Sequence, residues 1–248
     1  MISTKGVARA VVKEGLVMAR KIVVLVMVGL FLAVAQGAGA TVWSDGFEGP
    51  SLLSGGWTIL KEETGVMSLS TDVSHSGQQS AKFTPFDGGQ KWLRLFHSLG
   101  SLQEGTLSCW FYDEGPGMYV HLCATMGTPL SDYAFVGVQD WDDTYYHATG
   151  GLNGEQERTA VTRSYAWHHF EITGTASGVT TRIDDIVTGS VAGDYRFDGV
   201  LLGLSGPHYS GPNYYFDDVS FTPIPEPATM SLLVLGGLGM LISRRKKN

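Results

Sequence analysis

Positive charge is scarce in the middle of this sequence. Between residues 41 and 221 there are eight Lys or Arg side chains against twenty-two Asp or Glu, which gives a formal charge of −14. A surface this acidic repels the phosphate backbone of DNA and RNA, which argues against a nucleic-acid partner. It is typical of an extracellular domain and compatible with bound divalent cations.

The composition also lacks what long helices need. Ala, Glu, Lys and Leu are too few to build them, whereas the chain has 33 Gly, 10 Tyr, 11 Phe and 6 Trp. This balance favours many short β-strands joined by tight turns.

No apolar run matches the roughly 20 residues that a membrane-spanning helix needs. Ile22–Ala35 covers 14 residues, follows the basic pair Arg20-Lys21 and precedes the small-residue pattern Ala38-x-Ala40. This combination predicts a secretory signal peptide over residues 1–40, exported by the Sec machinery and removed by signal peptidase. Met18 opens a compact version of the same signal and is an alternative start.

The C-terminal end combines proline, a short apolar segment and basic residues. Pro223 and the prolines after it cannot continue a helix or a central strand, so the folded domain is predicted to cover residues 41–222, with a stiff linker after it. Met230–Ile242 is apolar and stops at a basic cluster, which the positive-inside rule places on the cytoplasmic side. Thirteen apolar residues favour a processing signal over a durable anchor.

This tail resembles the PEP-CTERM sorting signal. The resemblance rests on Pro225, Glu226 and Pro227, the short hydrophobic segment, and the basic cluster with Arg244 and Arg245. In that family an exosortase, a membrane enzyme, recognises the tail and removes it. The resemblance covers residues 223–248 and implies that the inner membrane holds the protein transiently before it reaches the cell surface or extracellular matrix. An ordinary C-terminal anchor is the alternative.

The middle segment has the pattern of strands and turns. In Lys91–His97 leucines alternate with larger side chains, and the β-rich segments Thr106–Tyr112 and Met118–Thr125 flank a turn. Many short strands without a helical period between them predict an all-β fold, an antiparallel β-sandwich of the jelly-roll type. An N-terminal signal helix and a short C-terminal hydrophobic helix are predicted to flank it.

The spacing of the two cysteines indicates a pairing. Cys109 and Cys123 lie at equal distances from Pro116, the centre of a predicted hairpin, so they would face each other across two antiparallel strands. In an exported protein this position favours a disulfide. Two buried free thiols are the alternative.

Three local phrases resemble the concanavalin A-like lectin/glucanase superfamily and its laminin-G-like relatives. They are Trp43–Gly49 with Gly56-Trp57 after it, Tyr165–Ile172 with a hairpin at Arg182–Asp185, and Tyr215–Phe221. The resemblance spans the middle domain and implies a jelly roll. Such a fold would place its first and last strands side by side, with Asp45 near Asp217.

Catalytic motifs are absent from the sequence. Glucanases of this superfamily carry Glu-x-Asp-x-x-Glu on one strand, where alternation places the carboxylates on one face. No glutamate of this chain is followed two residues later by an aspartate, and there is no Gly-x-Ser-x-Gly nucleophile elbow. We therefore predict a non-catalytic domain, with a hydrolase of atypical site as the alternative.

Acidic loops supply the hard oxygen ligands that Ca²⁺ prefers, which makes structural calcium a candidate cofactor. One candidate group, near the joined termini, consists of Asp45, Glu48, Asp217 and Asp218. A second consists of Asp140, Asp142 and Asp143. Neither group matches an EF-hand loop, and a solvated acidic surface is the alternative.

Two adjacent pairs have structural interpretations. Neighbouring residues of a strand point to opposite faces, so His168 and His169 cannot ligate one ion, and one is expected to pack while the other faces solvent. Asp184-Asp185 is typical of a two-residue hairpin turn.

Sugar binding requires an exposed aromatic side chain that can stack on a pyranose ring. The candidates beside turns are Trp141, Tyr145, Tyr146, Tyr209 and Tyr214. Trp57, Trp110 and Trp167 are predicted to be core residues. The leading hypothesis is an exported, non-catalytic, lectin-like protein that binds glycan or exopolysaccharide. A structural matrix or envelope protein without a defined ligand is the alternative.

Overall fold

Fifteen β-strands and no helix make up the described part of the chain. The computed structural model describes residues 43–63, 65–86, 91–115, 119–127, 132–139, 141–149, 155–206 and 212–224. The predicted signal peptide, residues 225–248 of the predicted sorting tail and the two predicted helices lie outside the described residues. Within the ranges given, no helix is long and apolar enough to cross a membrane.

The strands range in length from three to thirteen residues. They are β1 Trp43–Asp45, β2 Thr58–Glu62, β3 Gly65–Ser70, β4 Ser80–Pro85, β5 Lys91–Gln103, β6 Gly105–Tyr112, β7 Tyr119–Met126, β8 Asp132–Gln139, β9 Asp142–Thr149, β10 Gln156–Thr162, β11 Trp167–Thr175, β12 Gly178–Ile183, β13 Ile186–Ala192, β14 Phe197–Gly206 and β15 Tyr214–Pro223.

These strands form two sheets. Sheet A has the order β13-β12-β11-β6-β15-β4-β3, and β1 also pairs with β15. Sheet B has the order β10-β9-β8-β7-β14-β5-β2. All pairs among the described strands are antiparallel. The predicted all-β antiparallel sandwich is confirmed.

The core lies between the two sheets. In β6 every second residue is buried, so Leu107, Cys109 and Phe111 point inward from sheet A. Leu93 and Leu95 of β5 join the same cluster from sheet B. Full burial of a Leu or Phe side chain contributes about 1.5–3 kcal/mol, and the period of two along each strand determines which residues contribute.

The first and last strands of the sandwich are paired with each other. Trp43 of β1 is the register partner of Phe221 in β15, and Asp45 is the partner of Val219. The expectation that the first and last strands lie side by side is confirmed.

The predicted turn at Asp184-Asp185 joins β12 to β13. Both residues have positive φ angles, 49° and 67°, as the favoured two-residue hairpin turns require. The Asp184 carboxylate accepts the His169 amide and pairs with His168, while the Asp184 amide donates to the His169 carbonyl. These contacts tie the turn to β11.

The predicted Cys109–Cys123 disulfide is wrong, because both thiols are free and buried. β6 belongs to sheet A and β7 to sheet B, so the segment between them crosses from one layer to the other and does not close a hairpin. Cys109 faces the core between the sheets. Cys123 packs with Phe135 and Leu201 on the opposite side of sheet B.

Candidate functional site

The outer face of sheet B, which points away from the core, combines basic, aromatic and polar side chains. Alternation along β5 shows how the sequence builds it. Because Leu93 and Leu95 are buried in the core, Trp92, Arg94 and Phe96 face outward.

The strand register aligns six outward positions in one line across sheet B, which we call the central row. From β5 to β10 it consists of Arg94, Gly203, His121, Gly137, His147 and Arg158. Each residue is the register partner of the next. Adjacent strands lie about 4.8 Å apart, so the row extends over about 24 Å.

Two further rows run parallel to the central row. On one side is an apolar row that consists of Phe96, Leu201, Cys123 and Phe135. On the other side lie Trp92, Tyr119 and Gln139. The central row is therefore a polar strip between an apolar border and a mostly aromatic one.

Gly137 leaves room for the His121 ring. A Cβ atom at residue 137 would overlap the Val120 carbonyl oxygen and lie 2.7 Å from Cδ2 of His121. The His121 ring centroid is 4.8 Å from that of Phe135. Nε2 of His121 is 3.1 Å from Nε2 of Gln139, so the glutamine amide donates to the imidazole.

His147 is fully buried in the second half of the neighbouring strand β9. Its Nε2–H donates to Oδ2 of Asp142 over 3.0 Å. Burial raises the pKa of Asp142, but hydrogen bonds from the Thr144 and Tyr145 amides and from His147 outweigh it, so this pKa is lowered overall. Trp141 packs edge-on against the His147 ring, with centroids 4.5 Å apart.

In the central row and the row of Trp92, Tyr119 and Gln139, two polar atoms are buried without a hydrogen-bond partner among the described residues. They are Oε1 of Gln139 and Nδ1 of His147. Because His147 donates its Nε2 proton to Asp142, Nδ1 of the neutral ring is an acceptor. A buried acceptor left unpaired costs about 1–3 kcal/mol.

The two histidines of the central row are neutral at pH 7. Burial, together with the nearby His147 and Arg94, lowers the pKa of His121 to about 3. Burial also lowers the pKa of His147, although its hydrogen bond with Asp142 opposes the change. The centre of the row thus offers hydrogen-bonding groups without a fixed charge.

Guanidinium groups stand at both ends of the row. Arg94 lies over the Trp92 ring, 3.8 Å from its centroid, and burial lowers the pKa of Arg94. Arg158 lies over the Tyr145 ring at 4.5 Å. Both contacts are cation–π interactions, which hold the guanidinium groups over aromatic rings of this face.

A buried ion pair holds the turn that contains Trp141. Arg163 donates to both carboxylate oxygens of Asp113 over 2.8 and 2.9 Å, and both side chains are buried. Another guanidinium N–H donates to the Asp142 carbonyl oxygen. The start of β9 is therefore fixed, and Trp141 remains 61% exposed beside His147.

The structure separates the predicted glycan-binding aromatics. Trp141 and the half-buried Tyr145 lie on the outer face of sheet B. Tyr146 and Tyr214 are fully buried between the sheets, so the prediction is wrong for these two, because a core side chain cannot stack on an external sugar. Tyr209 lies outside the described residues.

Of the three tryptophans predicted to be core residues, one is buried and two are not. Trp57 is buried, as predicted. Trp110 and Trp167 are only partly buried on the outer face of sheet A, so the core prediction is wrong for them. Trp110 lies between the rings of His75 and His169, at centroid distances of 3.8 and 5.0 Å.

The carboxylates of the first predicted calcium group accept hydrogen bonds from the chain itself. Asp45 accepts from the Phe47 amide and the Trp57 indole. Glu48 accepts from two successive amides, of residues 78 and 79.

Asp217 and Asp218 hold the same loop region. Asp217 accepts from the His75 and Ser76 amides, and burial raises its pKa to about 6 in spite of these bonds. Asp218 accepts from Oγ of Ser76 and pairs with Nδ1 of His75. All four carboxylates thus have structural roles, and calcium binding by them stays a prediction.

A different set of side chains brings metal-ligating atoms together. Among the described residues, His169, Glu171 and Asp185 place one such atom each within 4.8 Å of the others. His169 is on the outer face of sheet A and the buried His168 on the inner face, so the predicted opposition of the pair is confirmed. In the second predicted calcium group Asp142 binds His147, and Asp140 lies outside the described residues.

Most residues of the central row could not be predicted from the sequence. Arg94 and His121 stand in alternating strand segments, but nothing in the sequence indicates which strands become neighbours in sheet B. The one available signal was alternation, which places Arg94 on the face opposite Leu93 and Leu95.

Comparison with known proteins bears on both the tail and the sandwich. Residues 223–246 match the family model of the PEP-CTERM protein-sorting motif. The chain carries a PEP-CTERM sorting motif. The motif implies an exported protein that an exosortase processes and that is sorted to the cell surface. No curated protein sequence matches the chain significantly.

The sandwich resembles solved concanavalin A-like jelly rolls. Cellulose induced protein Cip1 has a TM-score of 0.53 and 18% identity, and the match covers 72% of this chain and 96% of that one. Crh5 transglycosylase in complex with NAG has a TM-score of 0.56 and 15% identity, with 76% and 86% covered. Bacillus licheniformis β-glucanase has a TM-score of 0.51 and 9% identity, with 76% and 100% covered. At these identities the likeness shows the fold alone.

Proposed function

We propose that this exported protein binds glycan on the outer face of sheet B and does not cleave it. One observation carries the proposal: the ring of Trp141 is 61% exposed and packs against His147 of the central row, close to the exposed guanidinium of Arg158. An indole face can pack against a pyranose ring, and guanidinium N–H groups can donate to sugar oxygens.

Among the described residues, the central row contains no pair of carboxyl groups of the kind that glycoside hydrolysis uses. That reaction uses two carboxyl groups on opposite sides of the scissile bond, about 5–9.5 Å apart. None of the six residues of the central row is acidic. Asp142, which lies next to the row, is buried and bound to His147 and two amides. This arrangement supports binding over catalysis.

The relatives in fold support a glycan as the ligand class. The similar structures include a transglycosylase in complex with NAG and a β-glucanase. This likeness in fold makes a glycan the ligand class that we propose for the present chain.

A glycan array probed with the full-length chain in mild detergent tests binding. We expect a defined set of glycans to bind and Trp141→Ala to weaken binding by at least about tenfold. The matched control is Tyr165→Ala, which removes another exposed aromatic side chain, 68% exposed, outside the central row. A silent array would overturn the proposal and favour a structural matrix protein.

Catalysis is tested separately on the glycans that bind. Incubation with the full-length chain should leave their chain length unchanged and produce no new reducing ends. Shortened products that disappear in Asp142→Asn would instead identify a hydrolase of atypical site.

Processing of the tail is tested in a host that has an exosortase. We expect mature protein that lacks both residues 1–40 and the hydrophobic tail, as measured by intact mass. Glu226→Ala should leave the tail in place. A tail that is retained in the unsubstituted protein would indicate an ordinary anchor.

A further inference from the structure

We infer that the central row selects acidic glycans, which carry carboxylate or sulfate groups along the chain. The inference rests on the proposed glycan-binding function and specifies the charge of the ligand. It comes from the distribution of charged and neutral groups along the row, where guanidinium groups of Arg94 and Arg158 stand at the ends and uncharged groups stand between them.

The local charge contrasts with that of the whole domain. Residues 41–221 contain only eight basic side chains, and two of these lie in the central row. The six residues of the central row include no Asp or Glu. A carboxylate lies beside the row, because Asp142 is the register partner of Gln139, but it is already bonded to His147 and to two backbone amides. A row without carboxylates in a domain of charge −14 is a local region that an anion can approach.

Arg94 lacks a carboxylate partner. In the described part of the chain no Asp or Glu oxygen lies within 4.0 Å of its guanidinium, which packs on Trp92 and is half-buried. Its register partner on the outer side, Lys61, pairs instead with Glu63 over 2.8 Å. The Glu63 carboxylate is near enough to act on the pKa of Arg94, but burial lowers that pKa by more than Glu63 raises it. This partly desolvated cation would therefore be stabilised further by an anionic ligand.

Arg158 has only a distant carboxylate. Its Nη1 is 4.0 Å from Oδ2 of Asp142, and that oxygen is already the acceptor for His147. The Arg158 side chain remains 61% exposed and lies over Tyr145, with Cζ 4.5 Å from the ring centroid. The planar guanidinium can therefore present its N–H groups to a carboxylate or sulfate in a two-point contact.

The centre of the row suits the uncharged part of a sugar chain. Burial lowers the pKa of His121 and His147, and Gly203 and Gly137 carry no side chain, so no charged group of the row lies between Arg94 and Arg158. The sequence of groups along the row is thus cation, uncharged groups, cation. This order matches a polysaccharide whose hydroxyl groups alternate with anionic substituents, over the length of about 24 Å that five strand spacings give.

The test uses pairs of polymers that differ only in charge. The full-length chain in mild detergent is titrated with polygalacturonate and its methyl ester, and with dextran sulfate and dextran. We expect at least one acidic polymer to bind about tenfold or more tightly than its neutral counterpart. The carboxylate pair and the sulfate pair distinguish the two sources of negative charge.

Substitutions assign the preference to the row. Arg94→Gln and Arg158→Gln should each reduce the preference for the acidic polymer by about five- to tenfold. Arg182→Gln, an exposed arginine of sheet A, removes the same charge elsewhere and should change nothing. Arg94→Lys keeps the charge but not the planar fork, so intermediate affinity is expected and a folded protein is retained.

The outcomes separate this inference from the proposed function. Equal binding of acidic and neutral polymers, or array hits that are all neutral, would overturn the preference and leave glycan binding intact. An equal loss with Arg182→Gln would also overturn it, because binding would then follow net charge. No binding to these polymers or to the array would overturn both.

Discussion

The ring of His121 occupies the space in which a side chain of residue 137 would stand. A Cβ atom on Gly137 would lie 2.7 Å from Cδ2 of His121 and would also overlap backbone of β7. The glycine is therefore what allows an imidazole to lie across β8 in the middle of the central row.

Replacement of Gly137 by Ala should consequently distort the row. Overpacking of this kind costs about 1–3 kcal/mol, and the backbone contact cannot be relieved by a side-chain rotation. We expect a lower midpoint in urea denaturation together with weaker glycan binding.

Gly203→Ala is the matched control in the same row. The nearest atom to a Cβ at this position is 3.7 Å away, which is ordinary van der Waals contact. Its stability should differ from that of the unsubstituted protein by less than about 1 kcal/mol. Equal destabilisation by both alanines would contradict the role assigned to Gly137.

Acid should destabilise the sandwich through His121. Its pKa is about 3 in the folded protein because of burial, against 6.5 when unfolded, so the unfolded state binds more protons between these values. This contribution is fully present above about pH 6.5 and is lost as the pH falls toward 3, by up to about 1.4 kcal/mol per pH unit.

The measurement compares unfolding at pH 7 and pH 5 in the unsubstituted protein and in His121→Gln. The unsubstituted protein should lose about 2 kcal/mol more than the variant over this interval. Asp217, whose pKa burial raises to about 6, acts in the opposite direction in both proteins and cancels from the comparison. Identical losses would show that His121 is protonated in the folded state.

The two thiols should react only after unfolding. Burial raises the pKa of Cys123 to about 12 and that of Cys109 well above its usual value, and the thiolate is the reactive species. A chromogenic disulfide reagent should find no thiol in the native protein and two per chain in denaturant. A reductant should leave the melting temperature unchanged. A change in the intact mass of the protein on reduction would instead show that the two cysteines form a disulfide.

Removal of only one partner of the Arg163–Asp113 pair should strongly lower the free energy of unfolding. Arg163→Leu leaves the buried Asp113 carboxylate without its cation, a change that costs about 3–5 kcal/mol. The double variant Arg163→Leu/Asp113→Leu should recover a large part of this loss. If the single and double variants are equally stable by urea denaturation, the pair is not coupled.

Local patterns were sufficient for some features of this protein. The hairpin at Asp184-Asp185 was predictable because two positive φ angles favour particular residues, and the alternation in β5 was predictable because the strand period is two. The sorting tail was predictable because its elements are consecutive in the chain.

Relations between distant strands were not predictable. The sequence around Pro116 resembles a hairpin, yet β6 and β7 belong to different sheets. The prediction that Cys109 and Cys123 face each other was therefore wrong. Tyr146 and Tyr214 stand beside turns, but tertiary packing buries them. The central row combines six strands, and its register depends on pairings such as that of β14 with β7, which are about eighty residues apart in the chain.

The position of β15 has a mechanical consequence. This strand is the last of the sandwich, so a pull on the C-terminal linker acts first on it. β15 is hydrogen-bonded to β6 from Tyr215 to Pro223 and to β1 or β4 on its other side. Such a pull runs along the strand and loads these bonds in shear, many at once, instead of unzipping them singly. A domain attached at this end should therefore resist drag from a bound polymer better than its thermal stability alone suggests.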